Sequence, residues 1–552
     1  MNLRRHSEAL FAVLLGIVCS VYFTFPLALH PASLGRVDSG DGQFSIWNVA
    51  WVAHALVSPD ASVFNANIFY PHSGTLIYSE ANLGAGILGT PGYWITGNPY
   101  VAHNTAVLIS FAACVVGMYF LSRRLWGSRT GAVVAAIVFS FSPHLFAHTP
   151  HIQLLMVGPL PFVLLALHAF VDAPGVRRAL LLGVAIAVQA LFCAYYGVLV
   201  GLMVALGILY FSASRGLWRR PSWWGLTIIA AAASILIVLP FFLPYLELQH
   251  STGFGRRLEE AREYSADWQA YFASSGWLHD WMLSYLGRWN EVLFPGFAAI
   301  LFGAIGAAVG WKRKREITIF YLLIAFVALW SSFGPDAGLY TVLYHTVPVF
   351  SLLRAPARFG LAVTFALAVL SAAGVAALMA ARSGRARTWI AAACVLFASL
   401  DVSMTMPFRV VDPVPKAYEV LAGSRFGPVA EFPFFYIPTD FHRHSRYVLG
   451  STAHWQPLVN GYSDYIPHDF VEIAPLLASF PNPEGFDILR ARRARYAVFH
   501  LDLYNSDNRE ATLKRIEAYK DNLKPLVQED NLWLFEIVKW PEQHPDLSKT
   551  NQ

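Results

Sequence analysis

Long apolar runs alternate with polar intervals along most of the 552-residue chain. Eleven runs have roughly the 17–25 residues that a helix needs to cross the hydrocarbon core of a bilayer. They lie near 8–30, 101–121, 130–146, 151–171, 177–194, 195–212, 223–245, 294–311, 317–333, 358–381 and 388–405. Almost no loop separates the fifth run from the sixth, around residues 193–196. The polar intervals 31–100, 246–293 and 334–357 are long and the others short. From about residue 406 the pattern changes. Pro407, Pro413 and Pro415 punctuate it, and alternating apolar runs at 429–435, 496–501 and 532–538 read as strands. Residues 473–478 and 510–522 read as helices. The pattern predicts an all-α polytopic membrane domain of about 11 transmembrane helices over residues 1–405. A small C-terminal extracytoplasmic α/β domain follows over 406–552, large enough for its own core.

Composition agrees. Apolar residues make up 56% of the chain and charged residues 14%, against about 25% charged in a soluble domain. Intrinsic disorder and an ordinary soluble enzyme are excluded. The net charge of +5 sits in short clusters between apolar runs, so it speaks of topology rather than of nucleic acid. Cys19, Cys114, Cys193 and Cys394 each lie inside an apolar run, and no metal-ligand spacing joins them. The basic start and first run end at Phe25-Pro26 with no small-residue cleavage site, which reads as an uncleaved first span.

Charge then orients the spans. One set of loops carries Arg4, Arg5, Arg123, Arg124, Arg129, Arg177, Arg178, Arg215, Arg219, Arg220, Lys312, Arg313, Lys314, Arg315, Arg382, Arg385 and Arg387. The opposite, longer loops carry few Arg and no Lys. The positive-inside bias puts the N-terminus in the cytoplasm and the tail outside. Were the fifth and sixth runs one helix, every later loop would invert and the bias would break. Outer loops are thus 31–100, 246–293 and 334–357, and any chemistry is extracytoplasmic. No P-loop, GxSxG or HExxH occurs, which leaves hydrolases without support.

Candidate chemistry lies near span ends on that outer side. Asp38 and Asp41 follow the first span, and Phe44, Trp47, Trp51 and Ala55 recur at helical spacing after them. This reads as an amphipathic interfacial helix. Asp41 is then either a general base at the membrane surface or the helix N-cap. Glu80 could hold a sugar hydroxyl or a cation, or be a solvated loop acid. His144, His148 and His151 could ligate a metal, but Pro143 and Pro150 break the helical spacing. Substrate hydrogen bonds suit His151 and Gln153, with bonds to backbone or water as the plainer reading. Asp267, flanked by Trp268 and Tyr271, is either a sugar-gripping acid or a helix cap. Arg354 and Arg358 defy the charge bias at a span start, and their forks suit a lipid-linked phosphate. Snorkelling to headgroups is the alternative.

The segments GDGQFSIWNVAW, FYPHSGTLIYSE, HIQLL, YSAD, LLRAPARFG and NGYSDYIP occur in that order. Together with an acid soon after the first span and an outer C-terminal domain, they make the chain resemble the GT-C superfamily of membrane glycosyltransferases. It is similar to bacterial multi-spanning proteins of the glycosyltransferase-39-like and YfhO-like kind. The resemblance implies a polyprenyl-phosphate-linked sugar donor in a bacterial inner membrane. It also implies inverting transfer on the outer face to a glycan, lipid or protein acceptor. It implies Asp41 as general base with Asp38 as runner-up, and Arg354 and Arg358 as donor-phosphate clamp. His454, Asn460, Tyr462 and Asp464 of the tail could approach the acceptor. The spacing DSGD is not the adjacent acid pair of some members, which leaves a divalent metal ion open as cofactor. A transporter of lipid-linked glycan or a non-catalytic scaffold of the same fold are the alternatives; the spans show neither the deep charges nor the inverted repeats a transporter favours.

Overall fold

The computed structural model describes residues 2–253, 255–287, 291–380, 382–529 and 531–541, with side chains from His6 onward. The chain divides into two compact units. The first holds the segment up to Pro31, Asn82–Pro91 and His103–Phe408; the second holds Ala32–Ala81, Gly92–Ala102 and the segment from Arg409 onward. Much of the first long loop therefore belongs with the tail.

In the first unit each predicted span is occupied by helix. Among the described residues, seven helical segments are long and apolar enough to cross a membrane: His6–Phe23, Pro99–Trp126, Arg129–Ala147, Ala194–Ser214, Pro221–Thr252, Arg315–Ser332 and Pro356–Ala380. The chain is an integral membrane protein. The remaining spans correspond to Leu160–Asp172, Val176–Phe192, Phe297–Arg313 and Gly384–Asp401, which are shorter or less apolar.

The fifth and sixth runs are two helices. Cys193 is extended (φ −157°, ψ 115°) between Val176–Phe192 and Ala194–Ser214, and the chain doubles back there, with Gly197 packed on Ala190. The far ends return to one place. Arg215 Nη1 donates to Val171 O and Asp172 Oδ1, both at 3.2 Å, and Arg178 donates to Ala173 O. Arg124 pairs with Asp172 at 2.7 Å and Arg215 with Glu316 at 2.9 Å. Lys314 donates to Leu125 O, and Glu8 accepts from Arg123 and Arg129. Four of the basic loops, with Glu8 of the first helix, thus meet at one end of this unit.

Lipid offers no hydrophobic drive for helix association, so close approach of small residues has to supply the packing. Phe297–Arg313 and Gly360–Ala380 cross at Gly306 and Gly374. A Cβ on Gly306 would strike Leu370 O, and one on Gly374 would strike Phe302 O.

The second unit contains a four-stranded sheet. Strands β1 (Leu34–Gly35) and β2 (Arg409–Val410) make a separate two-residue antiparallel ladder. Strands β3 (Val429–Phe432), β4 (Tyr496–His500), β5 (Leu523–Glu529) and β6 (Leu532–Ile537) lie in the order β3-β4-β6-β5. The β3–β4 pair is parallel and the other two pairs are antiparallel. Strand β4 is central and buried at every position, which fits its apolar stretch Tyr496–Phe499. Strand β5 was not expected. It is an edge strand with four of its seven residues exposed and a register shift beside Pro525, the place where a sheet tolerates proline. The expected helices run over His468–Leu477 and Ser506–Ala518.

The helix Gly40–Ala55 also belongs to this unit and packs against Ser445–Gly450. It differs from the expected interfacial helix, because twelve of its 16 residues are buried, Ser45, Asn48 and Ala50 among them. Its polar groups are satisfied inside the unit. Trp47 Nε1 donates to Asn67 Oδ1 (3.1 Å), Trp51 Nε1 to Val63 O (2.9 Å) and Asn48 Nδ2 to Glu80 O (3.2 Å). The aromatic spacing marked one buried face; short side chains let the other face be buried as well.

Candidate functional site

In the second unit, Ser39 caps the Gly40–Ala55 helix by accepting from Gly42 N at 3.1 Å. Asp41 is therefore not the N-cap. It sits in the first turn, where the helix's positive end favours an anion. The Tyr462 hydroxyl donates to Asp41 Oδ1 at 2.9 Å, and the Tyr462 ring stands edge-on to Phe44. Asp38 is placed differently. It pairs with Arg36 at 3.0 Å and with Arg409 at 3.7 Å, beside the β1–β2 ladder.

The tail segment after Tyr462 runs along the first-loop segment that ends in Glu80. Tyr465 N donates to Tyr78 O at 2.8 Å, and Ser79 Oγ reaches Asp464 Oδ2 at 3.4 Å. The structure thus brings Asp41, Glu80, Tyr462 and Asp464 into one unit. His454 and Asn460 are inside that unit's framework. Asn460 is fully buried and bridges the main chain of Glu431, donating to its O (2.9 Å) and accepting from its N (2.7 Å). His454 Nδ1 accepts from Gln456 N at 3.0 Å. The satisfied bonds of Asn460 hold a fold rather than a ligand, whereas His454 Nε2 is buried with no hydrogen-bond partner among the described residues.

The other candidates lie in the first unit. Gly360–Ala380, 21 residues long and so about 31 Å, separates Arg358 from the basic loop beyond it. The Arg358 guanidinium lies over the Tyr195 ring at 5.3 Å, and that of Arg354 over the Tyr264 ring at 5.2 Å. Arg358 Nε is buried with no hydrogen-bond partner among the described residues. Tyr195 helps to set this geometry, since its hydroxyl donates to Ala355 O. It was invisible as a site residue because it lies within an apolar run.

Asp267 Oδ1 accepts from Ala270 N at 2.8 Å and caps a short turn, while Trp268 next to it is exposed. His151 packs near His148, their ring centroids 6.0 Å apart, and Gln153 lies in the short helix Ile152–Leu155.

The expected three-histidine set takes a different form. His144 and His148 cluster with Glu291, their ligand atoms all within 4.8 Å of one another. Burial opposes charging of the Glu291 carboxyl, but the neighbouring His148 and His144 outweigh it and hold its pKa well below the usual carboxylate range. Glu291 was missed because more than 140 residues separate it from His144 and His148. The only hint was an isolated acid just before an apolar run.

No family model matches the chain. Among curated proteins, an undecaprenyl phosphate-alpha-4-amino-4-deoxy-L-arabinose arabinosyl transferase from Erwinia tasmaniensis is 26% identical over 129 residues. The match spans 23% of this chain and 21% of that protein's length. Among solved structures, the apo oligosaccharyltransferase of Archaeoglobus fulgidus aligns with a TM-score of 0.51 at 12% identity. That alignment covers 94% of this chain and 73% of the other. ArnT from Cupriavidus metallidurans, solved bound to undecaprenyl phosphate, aligns with a TM-score of 0.46 at 14% identity, over 95% of this chain and 98% of that one. The oligosaccharyltransferase likeness extends over almost the whole chain, and at this identity it speaks for architecture. The chain shares the fold of that oligosaccharyltransferase.

Proposed function

We propose that the protein is an inverting glycosyltransferase that moves a sugar from a polyprenyl-phosphate donor to an acceptor hydroxyl on the outer face of a bacterial inner membrane. The observation that carries this reading is Asp41. It is a carboxylate held by Tyr462 in the first turn of a buried helix, and another residue supplies the cap. A buried helix fixes the acid's position, which general-base catalysis requires. The fold, and the lipid-linked donor named for the Erwinia relative, support the reading by analogy.

In this reading the acceptor hydroxyl attacks the anomeric carbon of the sugar. Its proton passes to Asp41, and the bond from that carbon to the phosphate oxygen breaks. Polyprenyl phosphate leaves with the electron pair. Arg354 and Arg358 bind the departing phosphate, since guanidinium groups stabilise charge that grows during the reaction. Glu80, His151, Gln153 and Asp267 are assigned to the sugar and acceptor. The N-terminus and basic loops face the cytoplasm, and the tail lies outside.

The test uses the full chain in detergent with a panel of radiolabelled polyprenyl-phosphate sugars, following release of polyprenyl phosphate. Asp41→Asn should lose about 10²–10⁴-fold in turnover and still bind donor, while Asp38→Asn should remain active. No turnover with any donor, and no difference between wild type and Asp41→Asn, would sink the proposal in favour of a scaffold or transporter.

A further inference from the structure

The cluster in the first unit has a feature that hydrogen bonding alone leaves unresolved. His144 Nδ1 lies 3.1 Å from Val292 O, and His148 Nδ1 lies 2.8 Å from His144 O. A carbonyl oxygen can only accept, so each Nδ1 carries the proton. In the neutral rings both Nε2 atoms then present lone pairs. His148 Nε2 points at Glu291 Oε2, 3.2 Å away, a contact that needs either a proton or a bound cation between the two atoms. His144 Nε2 is buried with no hydrogen-bond partner among the described residues, and His144 is only 1% exposed. A proton can satisfy the His148–Glu291 contact, but it leaves the buried His144 Nε2 lone pair beside that carboxylate without a positive partner.

The arrangement matches what a metal ion asks of its ligands. A ligating histidine almost always donates its other ring N–H to a carbonyl, carboxylate or water, which fixes the tautomer and aims the free nitrogen. Both histidines here do so, through backbone carbonyls. Ligand atoms on one tetrahedral zinc ion lie about 3.3 Å apart, given bonds of about 2.0–2.1 Å. The His148–Glu291 pair is already at that separation, and the remaining distances stay within 4.8 Å. Two imidazole nitrogens favour a transition metal over magnesium or calcium, which prefer oxygen.

We propose that His144, His148 and Glu291 bind one divalent transition-metal ion of the zinc class, leaving its fourth position open. Three protein ligands plus an open position is the ligand count of reactive rather than purely structural zinc sites. The site joins the end of Arg129–Ala147 to the segment preceding Phe297–Arg313, so a bound ion would also clamp these two stretches. The proposal is independent of the glycosyltransferase reading and holds whether or not sugar is transferred.

The test is metal content. Full-length protein with its affinity tag removed is stripped with chelator in detergent, dialysed against zinc, then desalted and analysed by mass spectrometry for metals. Wild type should retain about one equivalent. His148→Ala and Glu291→Gln should each retain at least about tenfold less. A variant at the exposed His345 should match wild type. Because the variants could misfold, cobalt(II) is also added to stripped wild type. Intense visible bands of a tetrahedral site support the proposal. A weak spectrum like that of the hydrated ion overturns it, as does zinc retention that is negligible in wild type or equal in all four proteins.

Discussion

At the scale of single residues, partners decide what a polar side chain does. Asp38 and Asp41 are three positions apart and chemically identical. One is drawn into ion pairs with Arg36 and Arg409, and the other is held by Tyr462 in the first turn of a buried helix. Partly exposed pairs of the first kind contribute little to stability, about 0–1 kcal/mol. Glu431 shows the buried extreme. It is fully enclosed on β3, with His500 Nε2 at 2.6 Å and the Tyr418 hydroxyl at 2.8 Å from the same carboxylate oxygen. His444 illustrates a different cost. Burial lowers its pKa from 6.5 to about 4, so the folded chain keeps this ring neutral where the unfolded chain takes up a proton. The sign follows: stability is complete above about pH 6.5 and declines as pH falls toward 4, by about 1.4 kcal/mol per pH unit at most from this group. Hydrogen exchange of the Pro438–His444 region, measured at pH 7 and pH 5, should show faster exchange at pH 5 after correction for intrinsic rate. Replacing His444 with Gln should flatten that dependence.

At the scale of elements, the period of the apolar pattern located the helices, and tertiary neighbours set their character. The aromatic spacing over Gly40–Ala55 placed a helix correctly, yet its environment is a protein core and not an interface. The boundary at Cys193 came from charge: only a reversal there keeps Arg178 and Arg215 at one end, where both now bond around residues 171–173. Strand β5 eluded the pattern because an edge strand with a proline and exposed polar residues has no clear alternation. Crossing of Phe297–Arg313 with Gly360–Ala380 rests on backbone contact at Gly306 and Gly374. A larger side chain has no room there, and overpacking typically costs about 1–3 kcal/mol. Gly306→Val should lower the midpoint of thermal unfolding in detergent, whereas Gly225→Val, where a Cβ meets open space, should leave it nearly unchanged. Equal midpoints for the two variants would refute a close crossing.

At the scale of the whole molecule, two units emerge from one chain that weaves between them, and the first loop supplies the helix around which part of the second is built. Topology gives a prediction at this scale. In a cysteine-free background, single cysteines at Arg178, Arg219 and Arg385 should react with a membrane-impermeant maleimide only after the cell is opened. One at Ser506 should react in the outer compartment. Labelling of Arg219 from the opposite side to Arg178 would show that the chain does not reverse at Cys193. Sequence by itself determined the span positions, which loops carry the basic residues and the existence of a mixed C-terminal region. Those follow from hydropathy, charge and period, which are local quantities set against a fixed bilayer thickness. It also singled out Asp41, Arg354 and Arg358, because charges near span ends are conspicuous. Tertiary structure alone decided that Tyr462 meets Asp41 from more than 400 residues away, that Glu291 rather than His151 completes the histidine cluster, and that Ser39 takes the capping role. Each depends on contacts between distant segments, and a one-dimensional pattern carries no record of which distant side chains folding will bring within bonding distance.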